Sequence, residues 1–467
     1  MEIKIDFGKL HPLFQHWVKS KEKEKVRGTC VESTFHHEKR YLSHSFYKPI
    51  SRIRKALNVL KSFFFILTWL AYNNGFTQNE LPNPYKKYDS DRNFYKTYNY
   101  LKNNEQGYIS SEYRRTYFDI MSVFMSWMKN FSSAIAFHDS LSKSIKPGGY
   151  TSINQYNKRD AAKYIDSLAI NNRIIIINEG HYSSMNRYFV SELLDPLSKR
   201  GFKYLAIEAL SDVDTLINIR KFPLQFTSGF YTNEPFFGML IRKAIALGYT
   251  LMSYESILPN QSQLERENAQ AQNIYKQFIN IDSTAKLLIL CGYGHVYEKE
   301  IYESKYMAAF LKEITGIDPI TIDQEIGNEH SCNSYENIFY RTVVDSIGII
   351  SPSIIIKPDS QIWSMFTDIV VFHPRTTYKK GQPSWLNDTS LKSYPIPHEI
   401  MSRINQKVLL RAYIAEEGNK AVPIDQFELN TTSEEPPNLL LYPGKKYLIQ
   451  LVDVNGNFYW GNTYYFK

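Results

Sequence analysis

Arg173-Ile-Ile-Ile-Ile-Asn178-Glu179-Gly180-His181 is the stretch on which the fold turns. Four consecutive isoleucines have no polar alternation, so as a strand they bury both faces. Polar Asn178, Glu179 and His181 follow at once. Similar short apolar runs recur downstream: Tyr204-Leu-Ala-Ile207, Thr250-Leu-Met-Ser-Tyr254, Leu287-Leu-Ile-Leu-Cys291, Pro319-Ile-Thr-Ile322 and Asp368-Ile-Val-Val-Phe372. Amphipathic stretches separate them. Strand–helix alternation of this kind predicts an α/β domain over about 151–390, a mostly parallel sheet flanked by helices.

The residues just past each strand carry the chemistry. Glu179 and His181 come after the first, Glu208 after the second and Glu255 after the third; His295 comes after the run that ends in Cys291, and His373 after the last. In an open parallel sheet these positions meet at the carboxyl edge, where such folds bind ligands. Glu179 and Glu208 are 29 residues apart, one βαβ unit, which predicts neighbouring strand ends. Gly180, Gly292 and Gly294 predict positive φ or close approach of backbone to another group. Arg266-Glu267, near the start of a helical pattern from Leu264, can turn a guanidinium toward that edge to hold a carboxylate or an oxyanion. No dinucleotide fingerprint, Walker A, His-Glu-x-x-His or Gly-x-Ser-x-Gly sequence is present.

The flanks read differently. Residues 79–150 predict a helical preamble without evident chemistry, with Tyr117, Met121, Phe124, Met128 and Phe131 on one helical face and a break at Lys146-Pro-Gly-Gly149. Residues 391–467 predict a small antiparallel β module, with strands at 408–414, 447–452 and 458–465 and a two-residue hairpin turn at Asn455-Gly456.

Charge locates a fourth segment. The chain of 467 residues carries a net +8, yet residues 1–61 hold 14 Lys/Arg and 6 Asp/Glu, and from Asn79 onward the two signs are equal at 41 each. Between them lies uncharged Phe63-Phe-Phe-Ile-Leu-Thr-Trp-Leu-Ala-Tyr72, preceded by Arg52, Arg54, Lys55 and Lys61. A basic flank, a short apolar run and a polar exit form a signal-like pattern over 1–78. This predicts an exported protein, periplasmic or extracellular; the alternative is an uncleaved N-terminal membrane anchor. The neutral remainder predicts no nucleic-acid partner. Cysteine numbers exclude a disulfide framework: Cys291 reads as core, and Cys30 and Cys332 are isolated.

Ile177-Asn-Glu179-Gly-His181, Leu205-Ala-Ile-Glu208, Arg266-Glu-Asn-Ala-Gln-Ala-Gln-Asn-Ile274 and Cys291-Gly-Tyr-Gly-His295-Val296 occur in this order over about 170–300. Together they resemble the erythromycin esterase-like/ChaN-like superfamily, with TIKI/TraB proteins as a more distant branch. That family's motifs are a Gly-Glu-x-His turn, a strand ending in Glu, an Arg-Asp/Glu helix and a late Gly-x-Gly-His-Val segment. The chain departs from them at Asn178, where the family has Gly, and at Gln270, where the helix often has Met. The resemblance implies a hydrolase in which His181 activates water. Glu179 and Glu208 would orient the ring or raise its basicity, His295 would protonate the leaving group or steady the carbonyl, and Arg266 would neutralise developing charge. Glu267, Glu255 and His373 stand behind these. On this reading no cofactor is needed, and the partner is a small-molecule or peptide substrate. The ChaN-like branch implies instead haem, approached by Tyr182 or Tyr293. The TIKI/TraB branch implies a divalent metal held by His181, His295, Glu179 and Glu208.

Overall fold

A computed structural model of the chain describes residues 81–467, apart from 143–152, 154, 280–281, 283, 302–303, 380, 389 and 431–435. The signal-like segment, Cys30 and the break at 146–149 fall outside the described residues. Residues Asn83–Lys467 make one compact unit.

Helices α1 (Pro84–Asp91), α2 (Phe94–Asn103), α3 (Glu105–Ile109), α4 (Arg114–Trp127) and α5 (Phe131–Asp139) open this unit. Asn83, Asn93 and Asn130 cap α1, α2 and α5 with their side-chain oxygens, using donors a helix start leaves unpaired. The apolar stripe read as one helical face spans two helices. Tyr117, Met121 and Phe124 are buried in α4, but Lys129 at φ 60° turns the chain and Phe131 starts α5. All five stripe residues are buried nonetheless.

The central sheet has six parallel strands: β1 (Ile174–Glu179), β2 (Phe202–Ile207), β3 (Thr250–Ser253), β4 (Lys286–Gly292), β5 (Ile320–Asp323) and β6 (Ile369–Val370), in the order β3-β2-β4-β1-β5-β6. Alternate strand residues enter two cores. Ile175, Ile177, Leu205, Ile207, Leu288 and Leu290 pack with helices α6 (Ala161–Ala169), α7 (Ser184–Lys199) and α8 (Pro235–Ala246). Ile174, Ile176, Ala206, Leu287, Ile289 and Cys291 pack on the other face with α9 (Gln263–Ile274) and α10 (Met307–Thr315). Burial on both faces is why these strands read as unbroken apolar runs.

The order corrects one expectation. β2 does not neighbour β1, because β4 lies between them. From β1 the chain leaves to α7 on one face, and from adjacent β4 it leaves to α10 on the other. Connections diverging from adjacent strands open a crevice at their carboxyl ends. In register, Glu179 lies beside Gly292.

The C-terminal module is an antiparallel sheet of β7 (Val408–Ile414), β8 (Asp425–Leu429), β9 (Lys445–Val452) and β10 (Phe458–Phe466), ordered β8-β7-β9-β10. β8 was not read from the sequence. The β9–β10 turn falls at Asn455-Gly456 but is longer than two residues. Asp453 accepts from the N–H groups of Asn455 and Asn457, Asp453 N–H donates to Asn457 O, and Gly456 takes φ +80°. The Asp side chain thus organises a five-residue loop.

Candidate active site

β1 ends in polar residues that the sheet must satisfy, and each finds a partner. Asn178 is fully buried; its Nδ2 donates to Tyr293 O (2.8 Å) and Asp323 Oδ1 (3.0 Å), and its Oδ1 accepts from Gln324 N (2.7 Å). It therefore ties the ends of β1, β4 and β5 together, in the position where the resembling family has glycine.

Glu179 is next, with 2 % of its surface exposed. Arg187, on the first turn of α7 and fully buried, donates from Nε to Glu179 Oε2 (2.5 Å) and from Nη2 to Oε1 (3.1 Å). The same guanidinium reaches Glu234 Oε2 at 3.4 Å and the carbonyl of His181 at 2.8 Å. Glu234 is the buried N-cap of α8 and accepts from Phe237 N–H and the Ser184 hydroxyl. Burial pushes both carboxyl pKa values up. At Glu179 the close bidentate arginine, with His181, outweighs burial and holds the group below the usual range. At Glu234 the single longer contact does not, and the group stays raised.

Glu179 Oε1 lies 3.2 Å from His181 Nδ1. A carboxylate committed to two arginine N–H groups is an acceptor, so it holds Nδ1 in the protonated tautomer. Tyr231 stacks on the imidazole at 3.9 Å and 21°, and Tyr293 meets it edge-on at 4.7 Å. Nε2 takes no hydrogen bond from the described residues. It lies along Gly292, where an added Cβ would stand 2.4 Å from His181 Cε1 and 2.8 Å from Nε2. The glycines thus serve close approach. Gly180, Gly292 and Gly294 all lack positive φ, which falls instead on Tyr293 at 40°.

A second group sits across Gly292. Glu208 Oε2 accepts from Gly292 N–H (2.6 Å), and Oε1 accepts from Arg266 Nη2 (2.9 Å). Arg266, on the first turn of α9, also holds Glu255 through Nε (3.0 Å) and Nη2. His295 Nδ1 lies 2.6 Å from Glu267 Oε2, which also accepts Met307 N–H. His295 Nε2 is 3.4 Å from both Glu208 Oε1 and Arg266 Nη1. Burial favours a neutral His295, but Glu208 and Glu267 overcome it and raise its pKa to about 10. With both ring nitrogens protonated, Nε2 donates to Glu208, and the Arg266 contact is two cations side by side. Burial would raise Glu208; His295, His181 and Gly292 N–H reverse this and hold it well below the carboxylate range.

The structure therefore brings together Glu179, His181, Glu208, Glu255, Arg266, Glu267 and His295. Glu179 and Glu208 flank Gly292 from non-adjacent strands, and the strand between them carries no side chain there. His373 lies apart from this network. It is 1 % exposed, bonded through Nε2 to Gln324 (3.1 Å) and packed on Phe189, and burial lowers its pKa to about 3. The two phenols named for haem are committed: Tyr182 OH reaches Glu325 (3.5 Å) with its face on His138 (3.9 Å), and Tyr293 OH accepts from His181 N–H (3.3 Å). Among the described residues no three of His, Cys, Asp or Glu are arranged to hold a metal ion. The oxygens of Glu179 and Glu208 are engaged by arginine, imidazole and backbone groups.

Several residues escaped the sequence reading. Arg187 sits among the buried Met185, Tyr188, Phe189 and Val190, and a lone cation in such a run was its signal. Glu325 lies two residues past β5, and the rule applied to the other strands would have found it. It meets His138 at 3.5 Å, and a Cβ on Gly180 would stand 2.5 Å from its Oε2. Tyr231, His138 and the Asp139–His330 pair (2.6 Å) had no sequence signal. His138 and Asp139 end α5, so the preamble reaches the strand-end edge.

No family model matches the chain, and no curated protein does. Solved structures overlap it in part. A toxin effector domain, RRSP, from Vibrio vulnificus CMCP6 aligns at 18 % identity over 29 % of this chain and 31 % of that one, with TM-score 0.24. The type III effector HopBA1 aligns at 10 % identity over 47 % and 97 %, with TM-score 0.30. The C-terminal region of Pasteurella multocida toxin, described as having a thiol-protease-like catalytic triad, aligns at 10 % identity over 73 % and 51 %, with TM-score 0.26. The chain spans about a third of the length of the first such structures. Overlaps of this identity and score carry no argument about the chemistry of the site.

Proposed function

We propose that the chain is a hydrolase of the erythromycin esterase-like type, acting on an ester or related bond of a small-molecule or peptide substrate. One observation carries this reading: a buried Glu234–Arg187–Glu179 chain fixes the Nδ1 proton of His181 and leaves Nε2 without a hydrogen-bond partner among the described residues, across Gly292 from Glu208, which Arg266 and His295 hold. His181 Nε2 takes a proton from water as its oxygen attacks the carbonyl carbon. The positive charge of Arg266, together with that of His295, stabilises the oxyanion that forms. When the tetrahedral adduct collapses, the carbon–oxygen bond breaks and the His181 imidazolium returns its proton to the leaving oxygen. His295 keeps its proton between two carboxylates, which favours charge stabilisation over proton donation. The basic and apolar N-terminal pattern supports export, and N-terminal sequencing of the natural protein tests it; a mature chain that retains Met1 opposes it.

The test of mechanism is His181→Asn, assayed on a panel of p-nitrophenyl esters and peptide amides. Loss of a general base lowers turnover by about 10²–10⁴. Undiminished turnover in a folded variant would refute the role.

A further inference from the structure

We propose that Asn178 is a positioning residue for His181: by holding the carbonyl of Tyr293 it keeps that residue in a left-handed backbone conformation, and this conformation stands the Tyr293 ring against the imidazole. The inference rests on the reading of His181 as the base. Tyr293 lies between Gly292 and Gly294, either of which could take positive φ without strain. Neither does, and the tyrosine between them takes φ 40°. A residue with a bulky side chain enters this region rarely and stays there only where its surroundings over-determine it. The Tyr293 carbonyl accepts from Asn178 Nδ2 at 2.8 Å, and its hydroxyl accepts from His181 N–H at 3.3 Å. Its ring meets His181 edge-on at 4.7 Å and lies parallel to that of His138 at 6.1 Å.

The Asn178 amide is itself fixed. Its Nδ2 also donates to Asp323 Oδ1 (3.0 Å), its Oδ1 accepts from Gln324 N–H (2.7 Å), and Gln324 Nε2 donates to the Asn178 carbonyl (2.7 Å). Gln324 is held in turn by His373 Nε2 at 3.1 Å. Flipping the amide would set its NH₂ group against the Gln324 N–H and its oxygen against two other oxygens, so one orientation is enforced. His295 is two residues beyond Tyr293 in the same short turn, Tyr293–Val296. One side chain from β1 thus pins the turn that carries His295 and the ring that borders His181. Glu179 fixes the imidazole at Nδ1 alone, so the Tyr293 edge and the Tyr231 face limit how its plane swings. A glycine at 178, the residue of the resembling family, would leave the Tyr293 carbonyl without this donor.

The test uses the full chain with Asn178→Gly, Tyr293→Gly and the two combined. The first readout needs no substrate: the His181 ring signals in the NMR spectrum of protein labelled with ¹³C-histidine, assigned by their loss in His181→Asn. Tyr293→Gly removes the neighbouring ring and should shift these signals. Asn178→Gly is expected to move them in the same direction, and the double variant to give the Tyr293→Gly positions. The second readout is kcat on the p-nitrophenyl ester panel. Each single variant should lose about tenfold with KM unchanged, as a slightly misplaced base would. The double variant should lose no more than Tyr293→Gly alone, since Asn178 acts through Tyr293. Should Asn178→Gly not fold, Asn178→Ser takes its place, because the serine hydroxyl sits one bond nearer its own backbone. Wild-type His181 signals in a folded Asn178 variant overturn the proposal, as do rate losses that multiply in the double variant. If His181→Asn is inactive while those signals stay in place, the positioning role is wrong and the base assignment stands. If the signals move as expected while His181→Asn retains full activity, the base assignment falls and the positioning of the ring stands.

Discussion

Replacing Gly292 by alanine tests the construction of the site at its narrowest point. Gly292 has φ −87° and ψ 147°, a backbone conformation any residue adopts, so Gly292→Ala brings no backbone strain. The new Cβ would stand 2.4 Å from His181 Cε1, 2.8 Å from Nε2 and 3.4 Å from Glu208 Oε2. Carbon–carbon contacts settle at roughly 3.5–4.0 Å, so the imidazole must retreat by about an ångström. It has nowhere simple to go: Tyr231 covers its face, Tyr293 its edge and Glu179 its Nδ1. Overpacking of this kind costs about 1–3 kcal/mol in stability. A base misplaced by about 1 Å costs on the order of 10² in rate. The expected result is a folded variant with kcat down about 100-fold and KM little changed, measured on the ester panel beside a guanidinium unfolding curve. Gly294→Ala is the control, because the nearest atoms to its Cβ would be ring edges of Tyr297 and Tyr306, each at 3.1 Å, and not His181. Wild-type kcat in Gly292→Ala would refute the placement of His181 over Gly292, and with it the route by which Glu179 and Glu208 serve one site.

Three further outcomes are expected. Arg187→Met leaves Glu179 and Glu234 buried without their shared cation and should destabilise by about 3–5 kcal/mol by chemical denaturation, with Arg187→Lys recovering part of it; a loss below about 1 kcal/mol would contradict the buried ion chain. His295, raised from 6.5 to about 10, favours folding when protonated. Its contribution is therefore complete below pH 6.5 and is lost as pH rises toward 10. Glu267→Gln, which removes one of its two carboxylates, should bring the His295 pKa down when followed by NMR. His373 behaves in the opposite sense. Lowered from 6.5 to about 3, it contributes fully above pH 6.5 and less as pH falls toward 3, so His373→Gln should flatten that part of the stability–pH curve.

The local, one-dimensional features were legible in the sequence. Four isoleucines in a row and five later runs marked the strands, although Thr250–Ser253, at the sheet edge, is only partly buried. The positions just past those strands named Glu179, His181, Glu208, Glu255 and His295, because a parallel sheet delivers every such position to one edge. Asn455-Gly456 marked a hairpin, though Asp453 lengthens its turn. Order within the sheet was not legible, since strand pairing depends on contacts between segments far apart in the chain, as at Ile175 and Ile320. Only the fold decided that β4 enters between β1 and β2, and only that insertion explains why a glycine, at ordinary φ, had to stand at 292. Partners for the buried charges were hidden for the same reason: Arg187, Glu234 and Glu267 acquire meaning from what burial forces them to pair with. The preamble is the extreme case. Its aromatic periodicity disclosed helices and packing, while its reach to Phe230, and through His138 and Asp139 to Glu325 and His330, exists only once those helices lie against the carboxyl edge of the sheet. The sequence by itself determined the strands and the chemistry at their ends; the tertiary structure decided which of those groups meet, because adjacency among them is set by sheet order and burial.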